Sequence, residues 1–197
     1  MAKSLNRYVF YLSLHQENVI HEPETQIYMK YAIRKSTMSD VPTLLLLADE
    51  ARQTMRKSGN TNQWINGYPD EHAFANDIIH GHSYIVEDMD TKHPYGTFAF
   101  IPSPEPTYAT IYQGEWLDTE NPYFVIHRIA SSFGSRGVLS AILEYCFTQT
   151  NNIRIDTHRD NCIMRHLLEK YGFTYCGIIY LANGDERLAF QKINNKK

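Results

Sequence analysis

The chain has 197 residues, 43% of them hydrophobic and 21% charged, with 19 basic and 22 acidic side chains for a net charge of −3. That length suits one domain, or one domain with an appendage, and supplies enough apolar residues for a core. The charge is too small and too evenly spread for a nucleic-acid partner, and no apolar run approaches the roughly 20 residues that a bilayer crossing needs.

Residues 1–30 show no sustained period and are expected to form an N-terminal extension, with the folded domain spanning 31–197. Tyr8 to Leu14 is apolar but short, and no small-residue cleavage site follows it, which argues against a signal peptide; an edge strand is the other reading. Ala32 to Arg34 reads as a first strand. Ser39 and Asp40 offer helix N-caps ahead of Pro42, and Val41, Leu44, Leu45, Ala48, Ala51 and Met55 then recur at helical spacing up to Gly59. A second helix is predicted from Pro69 or Asp70 to about His80, stopped by Gly81. Strands follow at Ser83–Glu87 and Tyr95–Ile101, then a proline-rich loop and a short strand over Thr107–Tyr112. Tyr123–Ala130, rich in β-branched and aromatic residues, is the next strand. A glycine- and serine-bearing loop leads into a helix carrying Val138, Leu139, Ile142, Leu143, Cys146 and Phe147 on one side. Asn152–Thr157 is a strand and Asn161–Tyr171 a helix closed by Gly172. Phe173–Leu181 and Glu186–Ile193 form a hairpin around Asn183-Gly184. This order is α+β, with one crossover helix in the second half.

Cys146, Cys162 and Cys176 show no Cys-x-x-Cys spacing and read as reduced thiols of a cytoplasmic protein. The nine histidines include His80-Gly81-His82, yet no carboxylate or cysteine set accompanies them at metal-ligand spacing, so no metal is expected.

The loop Ser131-Ser132-Phe133-Gly134-Ser135-Arg136-Gly137, set between a strand and a helix, is an anion-binding arrangement. The first turn of a helix leaves N–H groups without partners, and the helix dipole places positive charge beside them. Gly134 and Gly137 permit close backbone approach, and Ser131, Ser132, Ser135 and Arg136 can add donors. Neither a Gly-Lys-Ser/Thr ending nor a Gly-x-Gly-x-x-Gly spacing is present.

Asn161 then opens a helix that ends Leu168-Glu169-Lys170-Tyr171-Gly172-Phe173. In this, and in Asp156-Thr157-His158-Arg159-Asp160-Asn161, the chain resembles a bacterial branch of the GNAT (Gcn5-related) superfamily of N-acetyltransferases over roughly Tyr31 to Lys192. The resemblance implies a mixed, splayed β-sheet flanked by helices, with acetyl-coenzyme A as cosubstrate. It also implies an amine of a small molecule or peptide as acceptor; a homodimer is compatible with it. Backbone groups at Ile129, Ala130 and Ser131 would meet the pantetheine arm. Ser132, Gly134, Ser135, Arg136, Gly137 and Val138 would surround the pyrophosphate, and Asn161 would lie near the thiol end. The arm needs a V-shaped opening between the strands of Tyr123–Ala130 and Asn152–Thr157. Two departures stand out: Arg136 is displaced by two positions from the family's usual loop arginine or glutamine, and Leu168 occupies the position where many members carry a tyrosine thought to protonate the thiolate. Tyr171, three residues on, is the nearby phenol. These departures keep open a coenzyme A-binding module with little catalysis, beside an acyltransferase of different acyl or acceptor preference.

Direct transfer to an amine calls for a base. His127 shares a strand face with Val125 and Ile129 and titrates in a suitable range; the other reading is a core or ion-paired histidine. Asp156 and His158 share a face of the next strand, where Asp156 could equally pair with Arg154 or Arg128. Trp64, Tyr68, Glu115, Trp116 and His158 are candidate acceptor contacts, since aromatic walls and a carboxylate suit a cationic amine.

Overall fold

A computed structural model describes residues 31–194. The expectations for residues 1–30 lie outside these described residues. Seven strands form one mixed sheet: β1 Tyr31–Lys35, β2 Ser83–Asp88, β3 Pro94–Pro102, β4 Phe124–Ser131, β5 Asn152–Thr157, β6 Thr174–Tyr180 and β7 Glu186–Ile193. Their order is β1-β2-β3-β4-β5-β7-β6, antiparallel throughout except between β4 and β5. Four helices flank the sheet: α1 Val41–Lys57, α2 Glu71–Ile79, α3 Val138–Gln149 and α4 Cys162–Lys170. Among the described residues, no helix is long and apolar enough to cross a membrane.

The helix starts follow the local chemistry. The Asp70 side chain accepts from the Ala73 N–H at 2.9 Å and caps α2, and the Asn161 side chain accepts from the Met164 N–H at 3.0 Å and caps α4. Leu44 and Ala48 of α1 join Phe74 and Ile85 in one apolar cluster. The larger core lies on the sheet face covered by α3 and α4, where Ile142, Leu143 and Leu168 meet Ile126, Ile153 and Ile155. On the opposite face Tyr108, Trp116, Val125 and Ala189 form a separate cluster. Val138 packs so closely on β3 that a Cβ at Gly96 would stand 2.6 Å from its Cγ1.

Two local features depart from the sequence expectations. Thr107–Tyr112 is not a strand: Pro106–Tyr108 makes a 3-10 turn, and only Tyr112 bridges to Ile178. Pro106 cannot donate to a ladder, and the following segment meets β6 in a single antiparallel bridge. Beyond that bridge, a Cβ at Gly114 would fall 2.0 Å from the Cys176 carbonyl oxygen. Strict alternation along β4 also fails. Arg128 has φ +52°, and Arg128 and Ile129 together stand opposite Phe98, between the pairs Ala99–His127 and Thr97–Ala130. This extra residue is a β-bulge, which bends the strand that carries it. The left-handed Arg128 is fixed by its guanidinium, which gives two 2.6 Å hydrogen bonds to the buried Asp77 of α2 and one of 3.1 Å to the Tyr68 hydroxyl.

Candidate active site

Beyond the first two residues of β4 the sheet parts. β5 pairs with β4 only at Phe124–Ile153 and Val125–Arg154. From Ile126 onward β4 has no ladder partner on its β5 side among the described residues. The expected V-shaped opening is therefore present, and the bulge at Arg128 supplies its bend. A cavity of about 380 Å³ occupies the gap.

On the face of Tyr108, ionisable groups gather at this cavity. His127 Nδ1 lies 3.4 Å from Asp156 Oδ1. The same oxygen accepts a 2.6 Å hydrogen bond from the Tyr108 hydroxyl, and Arg187 Nε stands 3.8 Å from Oδ2. Burial depresses the His127 pKa below the ordinary histidine value, although the Asp156 charge acts in the opposite sense. Burial, reinforced by Asp156, holds the Tyr108 phenol well above its usual range, so Tyr108 remains a hydrogen-bond donor. Glu105, from the proline-rich loop, also borders the cavity. Its Oε1 accepts from the Thr107 hydroxyl at 3.1 Å, while its buried Oε2 has no partner among the described residues. A neutral imidazole beside two carboxylates can receive a proton and attract a cation.

The loop after β4 presents backbone donors. Gly134 and Gly137 have φ of +73° and +77°, a conformation in which glycine avoids a Cβ penalty, and Gly137 is the N-cap of α3. Ser132 N–H donates to the Tyr95 carbonyl, and Phe133 N–H to the Glu50 carboxylate at 2.7 Å. The Tyr31 hydroxyl donates to the Arg136 carbonyl at 2.8 Å, and the Ser135 hydroxyl to the Ser132 carbonyl at 2.7 Å. Among the described residues, nothing accepts from the N–H groups of Gly134, Arg136, Gly137, Val138 or Leu139, and no carboxylate pairs with Arg136. Unpartnered N–H groups at a helix N-terminus fit a phosphate group.

The other sequence candidates fall in different places. Ile129, Asn161, Trp64 and Tyr68 border the cavity with His127. Ala130 is buried and pairs with Thr97, and Ser131 pairs with Gly96. Glu115 and Trp116 do not line the cavity. Trp116 is buried, stacked on Tyr108 with ring centroids 5.6 Å apart, and the Arg154 guanidinium lies 4.0 Å from its ring centroid and 3.7 Å from that of Tyr123. His158 Nδ1 faces Asp160 at 3.4 Å, outside the lining. Tyr171 is the C-cap of α4 and borders a second cavity of about 370 Å³ with Phe147 and Lys192. Leu168 is fully buried in the core. The cysteines are also absent from the first lining, and burial pushes the Cys146 and Cys176 thiols upward. Sequence reasoning missed Glu105 and Thr157; the prolines flanking Glu105 signalled only a rigid loop. Among the described residues, no group of three or more His, Cys, Asp or Glu is placed to hold a metal ion.

No family profile matches the sequence, and no curated protein matches it. Solved structures do. A GNAT-family acetyltransferase from Streptococcus agalactiae superposes with a TM-score of 0.75 at 34% identity, over 84% of this chain and 96% of that one. A GNAT-family acetyltransferase from Listeria monocytogenes gives 0.60 at 19% identity, over 83% and 94% of the two chains. Arabidopsis thaliana NAA60, in complex with a bisubstrate analogue, gives 0.54 at 16% identity, over 85% and 100%. The last two show the shared fold. The fold places the chain among proteins that share the acetyltransferase fold. The match to the streptococcal protein goes further: the chain belongs to the GNAT family of acetyltransferases.

Proposed function

We propose that the protein transfers an acetyl group from acetyl-coenzyme A to a primary amine of a small molecule or peptide, by direct attack of the amine on the thioester. The observation that carries this reading is the gap between β4 and β5, lined by the half-buried His127, with the unpartnered N–H groups at the start of α3 following β4 in the chain. The donor's pyrophosphate would be held by the N–H groups from Gly134 to Leu139, with Arg136 adding charge. The free backbone edge of β4 around Ile129 would meet its pantetheine amides. When bound, the donor supplies an activated acyl group.

The protein's own residues do the rest. Glu105 and Asp156 favour a cationic amine entering between Trp64 and Tyr68. Attack requires the neutral amine, because an ammonium has no lone pair. His127, oriented through Nδ1 by Asp156, takes the proton at Nε2. Asp156 is itself held by Tyr108 and Arg187, so the ring has a fixed acceptor. The free thiols fit a reducing compartment, and we place the protein in the cytoplasm.

Thiol release from acetyl-coenzyme A, measured with a panel of primary amines, tests this reading. Release that depends on the amine is expected. Tight coenzyme A binding without release from any amine would instead mark a binding module.

A further inference from the structure

Breaking the carbon–sulfur bond of a thioester leaves its electron pair on sulfur. A hydrogen-bond donor facing the sulfur stabilises the developing thiolate and lowers the barrier. In the reading above His127 serves the amine on the Tyr108 face, and Tyr171 borders the other cavity.

Thr157 is the last residue of β5 and borders the first cavity, with only 1% of its surface exposed. Its Oγ1 is buried and has no partner among the described residues. A buried hydroxyl without a partner is costly and uncommon, unless something absent from the protein itself accepts from it. Alternation along β5 places Ile153, Ile155 and Thr157 on one face and Asp156 on the other. Ile155 packs with Ile142, Leu143 and Leu168 of α3 and α4, while Asp156 meets Tyr108 and His127. The phosphate-binding N–H groups begin α3, and Asn161 and Met164 of α4 line the cavity. The donor therefore enters on the Thr157 face, and the amine on the Asp156 face.

We propose that the Thr157 hydroxyl donates the hydrogen bond that receives the departing thiolate. The proposal rests on the coenzyme A reading above. The amine lone pair forms the bond to the acyl carbon, the carbon–sulfur bond breaks, and its electron pair moves to sulfur. The ammonium proton taken by His127 before attack has by then left to solvent, and the second proton, shed by nitrogen as the bond forms, passes to the ring. Thr157 keeps its own proton, because an aliphatic hydroxyl is far less acidic than a thiol. The thiolate is then protonated from solvent, to which His127 returns the proton it took, so amine and thioester give amide and thiol.

The test compares wild type, Thr157→Val and Thr157→Ser. Binding of coenzyme A is titrated against pH, with desulfo-coenzyme A as the control lacking sulfur. A donor to sulfur lowers the thiol pKa in the complex, so wild-type affinity for coenzyme A relative to the control rises as pH climbs toward the free thiol value. In Thr157→Val that rise is expected to shrink about tenfold, and Thr157→Ser restores it. With an amine acceptor, kcat of Thr157→Val falls about tenfold at unchanged KM for acetyl-coenzyme A. Removing an unpartnered hydroxyl without changing side-chain shape leaves thermal stability equal or higher, so lost folding does not mimic the effect. A Thr157→Val protein that binds coenzyme A with the wild-type pH dependence overturns the proposal and spares the acetyl-transfer reading. Wild type that binds no coenzyme A removes both.

Discussion

The cavity at the parting of β4 and β5 and the one beside Tyr171 differ little in volume, 380 against 370 Å³, and greatly in lining. In the second, the Lys192 ammonium donates to the Tyr171 carbonyl at 2.7 Å and lies 5.3 Å from the centre of the Phe147 ring. Its charge already has partners. In the first, a carboxylate oxygen of Glu105 and the hydroxyl of Thr157 are buried without partners among the described residues, and desolvation lowers the pKa of a histidine. Buried polar groups left unsatisfied cost stability, and proteins keep them where a ligand completes them. Size does not separate these two spaces; unfinished hydrogen bonding does.

Substitutions can break or sharpen that contrast. The largest effect is expected from His127→Ala, which removes the base and lowers kcat about 10²- to 10⁴-fold in steady-state thiol release. A loss below threefold would assign the proton transfer elsewhere. Gly137→Asp is expected to weaken acetyl-coenzyme A binding by about a hundredfold or more in calorimetry. It combines a strained left-handed cap with a carboxylate facing the phosphates. Unchanged affinity would sink the loop assignment.

The pH profile gives the next effect. The folded pKa of His127 is depressed, so the group is neutral near pH 7 and protonates only below the ordinary value of about 6.5. The acid limb of kcat at saturating amine should therefore lie below that value, with the rate falling about tenfold per unit beneath it. Stability follows the same sign: the unfolded chain binds this proton first, so His127's contribution is present above pH ~6.5 and lost as pH falls. A limb above that value would contradict a base whose pKa is lowered. Glu105→Gln is expected to raise KM for cationic amines about tenfold with kcat nearly unchanged, since the charge pairs with the acceptor alike in ground and transition states. The smallest effect belongs to the second cavity. Tyr171→Phe should alter kcat less than twofold, and a larger fall would bring that cavity into the reaction.

Much of this was legible in the sequence because local signals agreed with the fold. Asp70 and Asn161 cap the helices whose starts they mark, and Asn183-Gly184 closes its hairpin with Gly184 at φ +83°. The apolar period of α3 gave its buried face. Tertiary placement hid the rest. Period-two alternation along β4 does not foresee the bulge, at which Arg128 and Ile129 together stand opposite Phe98. Trp116 looked like a pocket wall; it is instead buried against Arg154, a contact between residues 38 positions apart. Glu105 carried no local signal, because its significance lies in an oxygen that nothing nearby satisfies. Thr157 ends a strand whose neighbour has already turned away, and no single strand reveals that.

The parting of β4 from β5 gives the molecule an edge strand in the middle of its sheet. Edge strands with free N–H and C=O groups invite other chains to pair with them, and proteins ordinarily blunt or cover them. Here the edge is recessed, flanked by α3 and α4 on one face and by the Tyr108 cluster on the other. A guest with amides on a narrow, flexible arm could add to it as a short strand would. No ladder hydrogen bonds must be broken to admit that guest, because the bend that keeps the strands apart is built into β4 and tied to α2 through Arg128 and Asp77. The sheet is open in advance, and the entry of the arm costs the protein little rearrangement.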